Sequence, residues 1–257
     1  MTRLSRAILV ALLGTCSFCS AQELTVAAAS DLQFVFPEIA ARFQKETGHG
    51  LKLIFGSSGN FFAQIQNGAP FDVFFSADID YPKKLEASGL TEPGTLYPYA
   101  TGKLVLWAPS SSKLDLGRGL QVLLDPSVKK VAIANPQHAP YGRAAEAAMR
   151  HAGIYDQVSG KFVLGENISQ TASFVASGGA DVGLIALSLA VAPSMTEKGK
   201  YETIPQSEYP PIQQAAVVLK SSPQKDLSRQ LLEYFKTPSI QELMRNHGFA
   251  TGNTNPK

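Results

Sequence analysis

The sequence predicts an α/β protein built in two units, and three observations carry that expectation. Short apolar runs alternate with segments of helical apolar spacing along most of the chain. The runs are mostly unbroken, as strands of a parallel sheet covered on both faces read. A strand that ends in small residues and a serine, just before a helix, occurs twice, first at Val26-Ala27-Ala28-Ala29-Ser30-Asp31 and again at Phe55-Gly56-Ser57-Ser58-Gly59-Asn60.

The first unit opens with a strand over 24–28. Leu32, Val35, Phe36, Ile39, Ala40 and Phe43 then follow at helical spacing, with Ser30 and Gln33 in the S-x-x-Q pattern of a capping box. Gly48 and Gly50 close that helix, a strand is expected over 51–55, and a second helix carries Phe61, Phe62 and Ile65 to Asn67-Gly68. Unpaired N–H groups and the helix dipole make each such strand-to-helix turn an anion cradle. Two of them on neighbouring parallel strands would lie side by side at the carboxyl edge of one sheet, where open α/β folds bind ligands. A third strand is expected over 73–76 and a helix near 82–88, stopped by Gly89. Asp72, Asp78 and Asp80 lack the spacing and glycine of a calcium loop and read as turn and cap residues.

A strand over 103–108 marks the first crossing to the second unit. There, strands are expected over 131–134, 161–164 and 182–186. The loop Asn135-Pro136-Gln137-His138-Ala139-Pro140-Tyr141-Gly142 leads into a helix ending at Gly153, and Asn167 with Gln170 forms a further polar cap. After Tyr209-Pro210-Pro211 come a strand over 215–219 and helices near 225–235 and 239–246. The expected division is 22–102 with 216–257 for domain I and 103–215 for domain II.

Residues 1–21 read as a signal peptide: Arg3 and Arg6, an apolar stretch too short to span a bilayer, then Cys19-Ser20-Ala21 before Gln22. Leu13-Gly14-Thr15-Cys16 is an imperfect lipobox, so a lipid-anchored form is the lesser alternative. Both cysteines, Cys16 and Cys19, fall in this segment, which leaves no thiol for a disulfide, a nucleophile or a metal in the exported chain. Of 257 residues, 44% are hydrophobic, enough for one large core or two smaller ones. Without Arg3 and Arg6 the basic residues equal the 21 acidic ones, and such a neutral chain has no bulk field for nucleic acid or an anionic membrane.

In order and spacing, Ala27-Ala28-Ala29-Ser30, Gly56-Ser57-Ser58, the stretch from Ala69 to Asp78, the loop from Asn135 to Gly142 and the closing His247-Gly248-Phe249 resemble the periplasmic molybdate-binding proteins of ABC importers. The resemblance spans essentially the whole exported chain. It implies a type II periplasmic-binding-protein fold: two α/β domains with a ligand cleft between them and two hinge crossings. It implies capture of molybdate or tungstate, with no cofactor, by a monomer in the periplasm, and delivery to a membrane permease and its ATPase. Carried over by position, the oxyanion-binding residues are Ser30, Asp31, Ser58, Tyr141 and Ile168. Tyr141 and Ile168 would donate their backbone N–H, as would Asp31, whose carboxylate must point away from an anion. One departure stands out, since Ala186 occupies a position where well-known members place a tyrosine hydroxyl; water or the Tyr141 hydroxyl is the expected substitute.

Other readings compete with this one. The cargo could be sulfate, thiosulfate or phosphate. A secreted hydrolase would need Ser58 as nucleophile and His138 as base, but the G-x-S-x-G elbow is missing. Clustered iron ligands are not evident. Trp107, near the expected hinge, is a candidate reporter of closure.

Overall fold

The computed structural model describes residues 22–252; the segment read as a signal peptide and both cysteines lie outside them. Two five-stranded sheets form the two halves. The first takes β1 (Glu23–Ala29), β2 (Gly50–Gly56), β3 (Val73–Ser76) and β4 (Tyr97–Gly102) before the chain crosses over. The second takes β5 (Leu104–Pro109), β6 (Val131–Ala134), β7 (Phe162–Gly165), β8 (Val182–Ala186) and β9 (Gly199–Thr203). The chain then returns to the first sheet as β10 (Ile212–Val218). The spatial orders are β2-β1-β3-β10-β4 and β7-β6-β8-β5-β9.

Helices α1 (Phe36–Thr47), α2 (Ser58–Gln66) and α3 (Asp80–Ala87) join the first three strands and β4. The second half carries α4 (Pro140–His151), α5 (Tyr155–Val158), α6 (Ile168–Ala176), α7 (Leu187–Ala190) and α8 (Pro193–Thr196). Helices α9 (Lys225–Phe235) and α10 (Pro238–Asn246) close the chain.

The unbroken apolar strands are buried on both faces. Val26, Ala28, Val73, Phe75, Ala216 and Val218 pack into one core layer with Phe36 and Phe235. Their neighbours Ala27, Phe74 and Val217 pack into the opposite layer with Phe61 and Leu85. Phe75 anchors the first layer, with its ring centroid 4.8 Å from that of Phe36 and 4.5 Å from that of Phe235.

Two details depart from the sequence reading. The returning strand begins at Ile212, ahead of the division expected at 215/216, because Gln213 and Gln214 already pair with Thr101 and Ala100 of β4. The helix after β1 does not start at Ser30. A 3-10 turn, Ser30–Leu32, intervenes, α1 starts at Phe36, and no side chain caps either element. The capping box at Ser30 and Gln33 therefore does not form. The Asn167 cap does form, with its Oδ1 accepting the Gln170 N–H at 3.0 Å.

The register of β1 on β2 sets Ala29 opposite Gly56, and that of β6 on β7 sets Ala134 opposite Gly165. The carboxyl ends of both parallel sets thus deliver their loops to one place between the halves. The two crossings are tied together where the Leu104 N–H donates to the Tyr209 hydroxyl at 2.9 Å.

Candidate functional site

Between the halves lies a cavity of about 10 Å³, the space of about one water molecule. Ser30, Asp31 and Ser58 line it from the first half, Tyr141 and Ile168 from the second. All five sequence-predicted residues are thus brought together, each at most 4% exposed. Among the described residues, no Lys or Arg lines the cavity. A wider cavity of about 350 Å³ adjoins it and shares Ala77 and Pro140. Its one cation, Arg143, is taken up by Asp78 at 2.5 Å and by the Tyr81 hydroxyl at 3.2 Å.

The serines of this region divide by where their protons go. Ser57, Ser76 and Ser188 donate to the backbone carbonyls of His138, Asp78 and Asp31. Ser30 and Ser58 only accept, Ser30 Oγ from the Ser169 N–H at 3.4 Å and Ser58 Oγ from the Ala77 N–H at 2.9 Å. Their hydroxyl protons have no acceptor among the described residues and remain to be offered to the cavity. Because the capping box does not form, the Ser30 hydroxyl is not spent on its own helix. Ser58, Tyr141 and Ile168 stand in the first turns of α2, α4 and α6, where backbone N–H groups have no intrahelical acceptor. Hydroxyl protons and helix-end N–H groups, with no cation among the described lining residues, suit a desolvated oxyanion.

Asp31 is the exception to this donor-only lining. Its Oδ2 accepts from Gln214 Nε2 at 2.6 Å and from the Tyr141 hydroxyl at 3.0 Å. Burial pushes its carboxyl up to about 6, against the pull of those two hydrogen bonds and of its own backbone N–H. The Tyr141 hydroxyl is therefore committed to Asp31 and is not free to replace the donor missing at Ala186. Ala186 itself is buried at the end of β8, opposite Leu104.

Sequence reasoning missed Ser188, whose hydroxyl reaches the Asp31 carbonyl at 2.8 Å from 157 positions away. It also missed Ser57 and Gln214. Nothing local marks Ser188 in its Ala/Leu-rich surroundings, and Ser57 differs from Ser58 only by its place at the helix start.

The Ser58–His138 pairing that a hydrolase would need is not formed. His138 Nδ1 lies 3.0 Å from Ser57 Oγ instead, and that hydroxyl gives its proton to the His138 carbonyl at 2.5 Å. Asp72, Asp78 and Asp80 fill structural roles: Asp72 accepts from the Thr25 N–H and the Ser222 hydroxyl, and Asp78 accepts from the Asp80 N–H. Among the described residues, no group of three or more His, Cys, Asp or Glu could hold a metal ion, and no helix is long and apolar enough to cross a membrane.

Comparison with known proteins shows what the chain is similar to. A family model described as a bacterial extracellular solute-binding protein matches residues 24–250. A molybdate-binding protein of Rhodobacter capsulatus is 40% identical over 232 residues, covering 90% of each chain. Its counterpart in Azotobacter vinelandii is 39% identical over 233 residues, 90% of this chain and 92% of the other. The solved periplasmic molybdate-binding protein of Azotobacter vinelandii matches with a TM-score of 0.85 at 36% identity, covering 90% of this chain and all of that one. A sulfate-binding protein of Mycobacterium tuberculosis, with a TM-score of 0.73 at 14% identity over 91% of this chain and 88% of its own, shares the fold alone.

Proposed function

Because the chain belongs to the bacterial extracellular solute-binding protein family, we propose that it captures molybdate, with tungstate as the nearest alternative cargo, and delivers it to the permease and ATPase of an ABC importer. It works as a periplasmic carrier and catalyses no reaction. Residues 22–102 with the returning segment from 212 form one jaw, and 103–211 the other. The observation that carries this reading is the pair of uncommitted hydroxyls, Ser30 and Ser58, in a cavity that no cation lines. The 40% identity to a protein named for molybdate supports the choice of anion.

The energetics are adequate without a counter-charge. Each hydrogen bond to a charged group contributes roughly 1.5–3 kcal/mol, so two hydroxyls and the N–H groups of Asp31, Ser58, Tyr141 and Ile168 offset much of the cost of stripping water from a dianion. Donors alone also suit an ion without a proton, whereas a protonated oxyanion would bury a donor that finds no partner.

A thermal shift assay against molybdate, tungstate, sulfate, phosphate and ferric citrate tests the reading. Ligand at about 1,000 times its Kd adds roughly 4 kcal/mol to stability, so molybdate and tungstate are expected to raise the melting point clearly. A shift with sulfate or phosphate alone would overturn the choice of anion, and no shift with any of them would overturn the carrier itself.

A further inference from the structure

The one acid of the cavity leaves half of its hydrogen-bonding capacity unused. Asp31 Oδ2 holds both donors, from Gln214 and Tyr141, while Oδ1 is buried without any partner. A bare, ionised carboxylate oxygen in such a place is strongly unfavourable.

No cation among the described residues relieves it. The groups that face Asp31 are Tyr141 from α4 and Tyr99 from β4, through Gln214, and burial raises both phenols well above their ordinary range. Helices α6 and α7, packed against the Ser30–Leu32 turn, carry no ionisable residue. The only charge on β2, Lys52, pairs in register with Thr25, well back from the end of β1. Arg143 on α4 is held by Asp78.

The neutral acid resolves the count. Oδ2, as the carbonyl oxygen, keeps both donors, and Oδ1, as the hydroxyl, becomes a donor in a residue that lines the cavity. We propose that Asp31 is the neutral acid in the closed cleft, its Oδ1–H a further donor to the bound oxyanion, so that each anion captured brings one proton with it. The inference rests on the oxyanion reading above.

The proton comes from solvent, joins the carboxylate as the cleft closes and leaves when it opens. Burial already pushes this carboxyl up to about 6, and a dianion beside it pushes in the same direction. The same atom then sets specificity. As a donor, Oδ1 favours an oxyanion that carries no proton; as an ionised acceptor it would favour hydrogen phosphate, whose proton it could receive.

Calorimetric titration with molybdate and with phosphate between pH 6.5 and 8.5, each in two buffers of different ionisation heat, counts the protons. Wild type is expected to take up close to one proton per molybdate at pH 8, with affinity falling about tenfold per pH unit. Asp31→Asn, a permanent donor of the same shape, is expected to bind molybdate with no proton uptake and a flat pH profile, and phosphate is expected to bind neither protein. Molybdate binding by wild type without proton exchange would overturn the proposal, as would phosphate binding that Asp31→Asn abolishes. Absence of molybdate binding by both proteins would instead overturn the choice of molybdate as cargo, and it is recognised by the missing heat in both buffers. Should Asp31→Asn fail to fold, the proton count on wild type decides alone.

Discussion

Ser57 Oγ, at the start of α2, donates to the carbonyl oxygen of His138 in the opposite half at 2.5 Å, and the Gly59 N–H meets the same oxygen at 2.9 Å. The carbonyl of one loop thus holds the tip of one helix across the cleft, without using either of the hydroxyls that face the cavity. Ser57→Ala removes one of these two bonds and leaves the other. A net loss of about 1 kcal/mol is expected to appear as a weaker closed state, with molybdate affinity down roughly fivefold. Calorimetry gives the affinity, and small-angle scattering at partial saturation is expected to show a larger open fraction than wild type.

Ser30→Ala and Ser58→Ala are expected to cost more, since each removes a proposed donor to the anion itself. Loss of a hydrogen bond to a charged group corresponds to about 1.5–3 kcal/mol, or roughly ten- to a hundredfold in Kd. The two differ in stability. Ser58 Oγ is the acceptor for the buried Ala77 N–H at 2.9 Å, so Ser58→Ala also lowers the melting point of the ligand-free protein. Ser30 Oγ holds the Ser169 N–H only at 3.4 Å, so Ser30→Ala leaves that melting point nearly unchanged. Affinities for both variants within twofold of wild type would remove these hydroxyls from the site.

What the sequence revealed and what it hid follow from burial and distance. Strands such as Val73–Ser76 and Val131–Ala134, buried on both faces, announce themselves as unbroken apolar runs. β9, Gly-Lys-Tyr-Glu-Thr, is almost wholly exposed, and β4, Tyr-Pro-Tyr-Ala-Thr-Gly, is interrupted by Pro98, so neither carries the apolar run by which the opposite edge strands β2 and β7 are read. In the cavity, Ser30 and Ser58 were legible because strand-serine-helix grammar is local. The bonds from Ser188 and Gln214 to Asp31 span 157 and 183 positions, and no local pattern marks such pairs. At Ser30 the local grammar misled in one respect: a 3-10 turn replaced the capped helix start, and this leaves its hydroxyl proton unspent.

Gly102, the last residue of β4 before the crossing, has no room for a side chain. A Cβ there would lie 2.1 Å from the Tyr141 hydroxyl and 2.8 Å from Gln214 Nε2. Its backbone is ordinary extended strand, so the cost of Gly102→Ala falls on the approach of α4 rather than on the chain itself. Molybdate affinity is expected to fall at least about tenfold, the cost of a closed state weakened by roughly 1.4 kcal/mol or more, while the circular dichroism of the ligand-free protein stays as in wild type. Unchanged affinity would show that Tyr141 can leave Gly102 without harm to the site.

Asp31 also makes a sign-definite contribution to stability. Its carboxyl ionises near 3.8 in the unfolded chain and near 6 in the folded one. Between those values the folded state holds a proton that the unfolded state has released. The contribution is therefore complete at acid pH and is lost as pH rises through about 6, by up to about 3 kcal/mol. Asp31→Asn lacks this dependence. Thermal midpoints at pH 4.5 and 7.5 are expected to show the variant gaining on wild type at the higher pH. A constant difference between the two proteins would place the folded-state carboxyl back in its ordinary range.

Its packing makes Trp107 an expected poor reporter of closure, in contrast to what its place near the hinge suggests. Its indole is fully buried within β5, which pairs with β8 and β9 on its two sides. The ring lies so close to Gly199 that a Cβ there would come within 2.1 Å of Cζ2. Every one of these neighbours belongs to the second half, so a hinge rotation carries them along with the indole and leaves its surroundings unchanged. The emission spectrum of Trp107 is accordingly expected to be the same with and without saturating molybdate, in samples whose melting point does respond. A spectral shift would mean that the anion repacks the second sheet, and that closure is more than rotation about the two crossings.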